Sequence, residues 1–118
     1  MHELAVSLAL IDEAERVARE HGAQGIAHLR VLIGPLSGVD GELLARAYTV
    51  ARVGSTLTAE ATLEWIPSVI AVCCEQCGTT SEVAVQRLLC GVCGSWQTHV
   101  VSGTELTLQS VELVGATH

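Results

Sequence analysis

Two short stretches decide how this chain reads: Cys74-Glu75-Gln76-Cys77-Gly78 and Cys90-Gly91-Val92-Cys93-Gly94, with twelve residues between Cys77 and Cys90. The pattern is C-x2-C-x12-C-x2-C. Pairs at this spacing let two tight turns present four thiolates to one tetrahedral ion. The glycine after each pair suits such a turn, because a residue without Cβ takes positive φ freely and lets amide N–H groups point at sulfur. The central separation is shorter than the roughly 15–20 residues common in zinc modules, but it can close a small ribbon. Structural zinc at Cys74, Cys77, Cys90 and Cys93 is the favoured reading. A rubredoxin-like iron site has similar knuckles, and free thiols or a disulfide pair are the remaining alternatives. A closed four-sulfur site leaves no position for substrate or water, so it stabilises its surroundings and does no hydrolysis. Cys73 is spare. Pairing it with Cys77 would break the symmetry with Cys90 and Cys93, so it reads as a small strand residue.

On either side of the cysteines the periodicity changes to that of an α/β body. Residues 3–21 read as an amphipathic helix, with Leu4, Leu8, Ile11, Ala14 and Ala18 as its apolar stripe and Gly22 as its stop. Residues 26–34 alternate as a strand and end at Gly34-Pro35, before a Ser37-Gly38 turn. A second helix is expected over 41–53, capped by Asp40 and buried through Leu43, Leu44, Ala47 and Ala51. Residues 59–66 read as a strand broken by Pro67, and 69–74 as an extended lead into the cysteines. The last strand spans about 104–114, with a slip near Gln109-Ser110. The cysteine module therefore lies between two strands of the body, as an insertion. The expected fold is α+β, with an interrupted body of residues 1–68 and 104–118 and an inserted module of residues 69–103.

Composition narrows the function. The chain has 118 residues, 49% hydrophobic and 16% charged, so one packed domain with a small insert is expected and disorder is not. Only Tyr48, Trp65 and Trp96 are aromatic, so the core must be aliphatic. Acidic residues outnumber basic ones 13 to 6, a net charge of −7, which opposes a phosphate-backbone binder. The start lacks the basic residues and clean apolar run of a signal peptide, and no stretch matches a membrane span. A cytoplasmic protein with no membrane and no nucleic-acid partner is expected, and thiols there hold metal more often than disulfides.

The amino terminus is the second signal. His2 follows Met1 directly. One reading is an exposed histidine on a frayed end. The other is chelation, in which the α-amine of Met1, the His2 amide nitrogen and His2 Nδ1 bind one ion in fused rings. An all-nitrogen tetragonal field suits Ni(II) or Cu(II) better than Zn(II).

Met1-His2-Glu3-Leu4, the Gly34 to Val39 turn, the two cysteine knuckles with Gly94-Ser95, and Gly103-Thr104-Glu105-Leu106 with Ser110-Val111-Glu112 together resemble the HypA/HybF family of nickel-incorporation proteins. The resemblance runs the length of the chain in order. It implies two helices packed on a small three-stranded sheet, with a zinc-ribbon module inserted before the last strand. It implies a nickel metallochaperone for [NiFe]-hydrogenase maturation, not an enzyme, with structural zinc and transferable nickel. Its nickel ligands map onto Met1 and His2, with Glu3 adjoining as backbone donor or outer support; a helix-start acid is the plainer role for Glu3. Its partners would be a HypB-type GTPase and the hydrogenase large-subunit precursor, and a homodimer is compatible with it. Some members carry histidines flanking the zinc cysteines; here Gly78-Thr79 and Gly94-Ser95 stand there, so no acid switch of zinc ligands is carried over. Gly91 stands where proline is common in the family, which removes a turn constraint and no ligand.

The other function classes are a zinc-ribbon nucleic-acid or transcription adaptor, which the acidic balance opposes, and a metalloenzyme, which the closed thiolate site opposes. Asp40 could approach nickel but reads first as a helix cap. His21 reads as a helix C-terminal residue, His28 and His99 as outward strand residues, and His118 as a terminal one. Trp96 is expected to pack over the zinc module rather than stand free as a docking anchor.

Overall fold

The computed structural model describes residues 2–115. Met1 and His118, both named above, lie outside them. In chain order the elements are α1 (His2–Glu20), β1 (Gly25–Ile33), α2 (Gly41–Ala51), β2 (Thr62–Pro67), β3 (Ile70–Cys74), β4 (Thr80–Val83), β5 (Thr98–Ser102) and β6 (Leu106–Val114). They form two three-stranded sheets, ordered β2-β1-β6 and β4-β3-β5. The first carries the two helices and the second is formed by chain lying between β2 and β6, so the α+β expectation holds.

In the first sheet β1 is central, parallel to β2 through α2 and antiparallel to β6. Leu29, Val31 and Ile33 point inward beneath the helices and are almost fully buried. Ile11, Ala14, Ala18, Leu44, Tyr48 and Ala61 complete the core. Tyr48 is its one buried aromatic with a polar end, and its hydroxyl donates to Ala61 O at 2.9 Å. Burial raises the Tyr48 pKa, against a smaller lowering from Arg52. The expected slip in β6 is present: Arg30 faces Ser110 and Val31 faces Leu108, which leaves Gln109 as the extra residue.

The helices start at neighbouring points and run in the same direction. Asp40 N–H donates to Glu3 Oε2 at 3.4 Å, and one turn on the Ser7 hydroxyl donates to Leu44 O at 3.4 Å. Further along, the Ser55 hydroxyl bonds the Glu15 carboxylate. This packing corrects the apolar stripe read from α1. Glu3, Ser7, Leu10, Ile11, Ala14 and Ala18 are buried, whereas Leu4 and Leu8 are 47% and 49% exposed. Leu43, placed in the buried stripe of α2, is exposed too; Gly41, Leu44 and Tyr48 face inward instead. Glu3 and Ser7 are buried because they find backbone partners at the start of α2, at Asp40 N–H and Leu44 O. Gly41 packs against β2, where a Cβ would sit 2.4 Å from the Trp65 ring. The helix expected to reach residue 53 ends at Ala51 and tightens into a 3-10 turn over Arg52–Gly54, and the strand expected from residue 59 begins at Thr62.

Candidate metal centre

The four cysteines are assembled by two matching turns. After β3, Gln76 N–H and Cys77 N–H donate to Cys74 Sγ at 3.3 and 3.4 Å. After Cys90, Val92 N–H and Cys93 N–H donate to Cys90 Sγ, both at 3.4 Å. Gly78 and Gly94 close the turns at φ +74° and +76°, and their N–H groups donate to Cys74 O and Cys90 O at 3.0 Å. The two turns face each other, with Cys74 Sγ 3.6 Å from Cys93 Sγ and Cys77 Sγ 3.6 Å from Cys90 Sγ. All four sulfurs lie within 4.8 Å of one another. Tetrahedral zinc with Zn–S bonds of about 2.3 Å needs sulfurs roughly 3.8 Å apart. The cluster fits such an ion, and Cys73 lies outside it on β3, its Sγ 4.0 Å from Gly78 O.

Four thiols this close cannot all ionise without a cation, and their acidities diverge accordingly. The Cys93 and Val92 amides, with help from neighbouring thiols and against burial, lower Cys90 to about 6. For Cys93 the Ser95 amide lowers the pKa, but hydrogen bonding to Cys74, burial and the other thiols raise it to about 11. The inner cysteines Cys74 and Cys90 are buried, and the outer pair Cys77 and Cys93 reach the surface.

At the other candidate site, His2 opens α1 and is exposed. Its Nε2 lies 2.8 Å from Gly38 O and 3.3 Å from Glu3 Oε2. Both are acceptors, so Nε2 carries a proton, and in the neutral ring Nδ1 then keeps its lone pair. Glu3 is buried, and desolvation raises its pKa. The Asp40 amide, its own amide and the His2 charge outweigh that and hold the carboxyl below its usual value. Asp40 caps α2, its Oδ1 accepting Glu42 N–H at 2.9 Å and Leu43 N–H at 3.2 Å, which is the cap role expected of it. Gly38 as the partner of His2 was not foreseen; the Ser37-Gly38 turn was legible, but not what its carbonyl faces.

The remaining candidates fall elsewhere. His21 follows α1 with Nδ1 2.9 Å from Val17 O. His28 bridges Thr62 Oγ1 at 2.7 Å and Glu64 Oε1 at 3.0 Å on the helix-free face of the first sheet. His99 stands exposed on β5, 3.9 Å from Glu75. Trp96 corrects the sequence reading: it is 76% exposed and does not pack over the cluster. The turn that seats Cys90 and Cys93 is closed by backbone bonds instead, with Cys90 N–H donating to Ser95 O at 2.9 Å.

The family described as "Hydrogenase/urease nickel incorporation, metallochaperone, hypA" matches residues 1–113. The hydrogenase maturation factor HypA of Nitrosospira multiformis is 46% identical over 114 residues, covering 97% of this chain and 98% of that protein. The corresponding factor of Aquifex aeolicus is 35% identical over 113 residues, covering 96% and 97%. The solution structure of the Ni metallochaperone HypA from Helicobacter pylori superposes with a TM-score of 0.73 at 28% identity, covering 98% of this chain and 99% of that one. Fold, cysteine cluster and relatives together define a metallochaperone-type maturation factor, not a catalytic enzyme. The chain belongs to the HypA family.

Proposed function

We propose that this protein delivers Ni(II) for the maturation of a [NiFe]-hydrogenase. It would bind the ion at its amino terminus and use zinc on Cys74, Cys77, Cys90 and Cys93 as a structural brace. The observation that carries the nickel reading is the His2 ring, whose Nε2 faces the Gly38 carbonyl and Glu3, which leaves the Nδ1 lone pair of the neutral ring to a metal. A site built from Met1 amine, His2 amide and His2 Nδ1 requires that amine to be free and that nitrogen unprotonated. Glu3 would support the ring from outside rather than ligate through its side chain. In this reading residues 1–68 with 104–118 form the nickel-binding body and 69–103 the inserted zinc domain. The family's role in hydrogenase maturation supports a HypB-type GTPase and the large-subunit precursor as partners, and the cytoplasm as the place of action. Among the described residues, no helix is long and apolar enough to cross a membrane.

The test is Ni(II) titration of three proteins: native start, a variant with residues added before Met1, and His2→Ala. Tight binding is expected in the first and lost in the other two, with zinc content and fold unchanged. Extension turns the α-amine into a peptide nitrogen, which a surface-histidine site would not notice. Equal affinity in all three overturns the amino-terminal site. Cu(II) should bind the native start at least as tightly as Ni(II), as the Irving–Williams order requires of a nitrogen field. Selectivity then comes from metal supply and partner docking.

A further inference from the structure

The turn that faces His2 is fastened at its far end. Gly34 N–H donates to Glu105 O, and Leu36 N–H donates to Gly103 O, both at 2.7 Å. Gly103 sits at φ +116°, a conformation that favours glycine, and its N–H donates to Glu105 Oε1 at 2.7 Å. The Ser68 hydroxyl donates to the same oxygen at 3.0 Å, while Ser68 N–H donates to Ile33 O at 3.0 Å. One carboxylate thus ties together both crossings between the two sheets, β2 to β3 at Ser68 and β5 to β6 at Gly103. The approach is tight, since a Cβ on Gly34 would lie 2.1 Å from Gly103 O. From there the turn is short. Ser37 N–H donates to Gly34 O at 3.0 Å and Val39 N–H donates to Ser37 Oγ at 3.2 Å. The Gly38 carbonyl between them ends 2.8 Å from His2 Nε2.

We infer that Glu105 is a positioning residue for the amino-terminal site: by tying Gly103 and Ser68 it holds the Gly34–Gly38 turn where the Gly38 carbonyl keeps the His2 proton on Nε2. The functional meaning of this inference rests on the nickel reading above. A ring held in that tautomer offers Nδ1 to a metal without rearrangement. A released ring spends part of its time protonated on Nδ1 and cannot ligate through it. Outer partners that orient a metal-binding histidine change affinity by about 10- to 100-fold. Glu105 acts through an intervening turn and does not itself touch the ring, so its effect falls below that range, at about twofold to fivefold.

The experiment uses full-length, native-start, zinc-loaded protein. Nitrogen NMR of the His2 ring is recorded without nickel, and Ni(II) affinity is then measured by titration. Glu105→Ala should shift the His2 ring nitrogens from the Nε2–H pattern toward the mixed pattern of free imidazole. It should weaken Ni(II) binding by about twofold to fivefold, less than loss of a direct partner would, with zinc content and far-UV circular dichroism unchanged. Glu105→Gln, whose amide oxygen still accepts a bond, should fall between, which a general loss of stability would not produce. Native ring shifts and native affinity in folded Glu105→Ala overturn the proposal. If that variant does not fold, Ser68→Ala and Glu105→Gln carry the test, and native ring shifts in both overturn it equally. The two readings fail separately. Undiminished Ni(II) binding by His2→Ala removes the nickel site, while the ring shifts of the nickel-free variants still decide whether Glu105 positions His2.

Discussion

The two sheets have the same number of strands and very different surroundings. The β2-β1-β6 sheet lies under two helices and buries Leu29, Val31 and Ile33 among aliphatic neighbours. Among the described residues the β4-β3-β5 sheet has no helix over it and buries mainly Ile70, Val72, Cys74 and Cys90, while Val92, Val101 and Trp96 stand exposed. Domains below about 40 residues seldom bury enough apolar surface to fold without a metal or disulfide. The first region is held by a core, and the second, in the proposed reading, would depend on a metal at its cysteine cluster. A mutation should therefore be felt in the region whose kind of support it removes.

The largest effect should come from the cluster. Cys74→Ser or Cys93→Ser should lose the metal and loosen residues 69–103, because zinc binding contributes on the order of 10 kcal/mol in small modules. Metal analysis with amide exchange checks this, and slow exchange should persist in α1 and β1. Simultaneous unfolding of both regions would break the comparison.

Leu29→Ala is the complementary experiment. Leu29 is fully buried, so truncation should destabilise the helix-covered sheet by about 2–5 kcal/mol. Zinc content after purification should stay at one per chain. Denaturant melts followed separately in each region would show whether they share one transition.

At the junction, Gly34→Ala forces a methyl against Gly103 O. Overpacking of this kind costs about 1–3 kcal/mol, and thermal melting should report it without metal loss.

Acid offers a gentler probe of the same junction. The Glu105 carboxyl is held below its usual value by its own amide, the Gly103 amide and the Ser68 hydroxyl, against burial. A carboxyl depressed on folding adds stability above its unfolded pKa, near 4.5, and that stability is lost as pH falls through the folded value. Gly103 and Leu36 amide signals should therefore shift as pH drops below about 4.5. In Glu105→Gln this acid step should be absent.

The smallest effects belong to residues that neither region uses. Cys73→Ser should keep the metal, and Trp96→Ala should change stability by less than about 0.5 kcal/mol. Loss of zinc in Cys73→Ser with retention in Cys74→Ser would reverse the ligand assignment.

Legibility differed between the regions for physical reasons. The cysteine turns, the Asp40 cap and the bulge at Gln109 depend on neighbours a few positions away, so spacing revealed them. The buried face of α1 did not follow from apolarity. Leu4 and Leu8 are greasier than Glu3 and Ser7, yet the polar pair faces α2, where a hydrogen bond and close backbone approach are available. Trp96 misled for a related reason: a large ring invites burial, but the small module has no second layer to cover it.

Residue order alone settles which four thiols can meet and where the helices begin. These are short-range matters of turn geometry, capping and periodicity. Folding alone brings Gly38 to His2 across 36 positions and Glu105 to Ser68 across 37. Neither pair has a local signature. A carbonyl or carboxylate finds its distant partner only once the sheet, the helix pair and the close contact of Gly34 with Gly103 have fixed where each backbone runs.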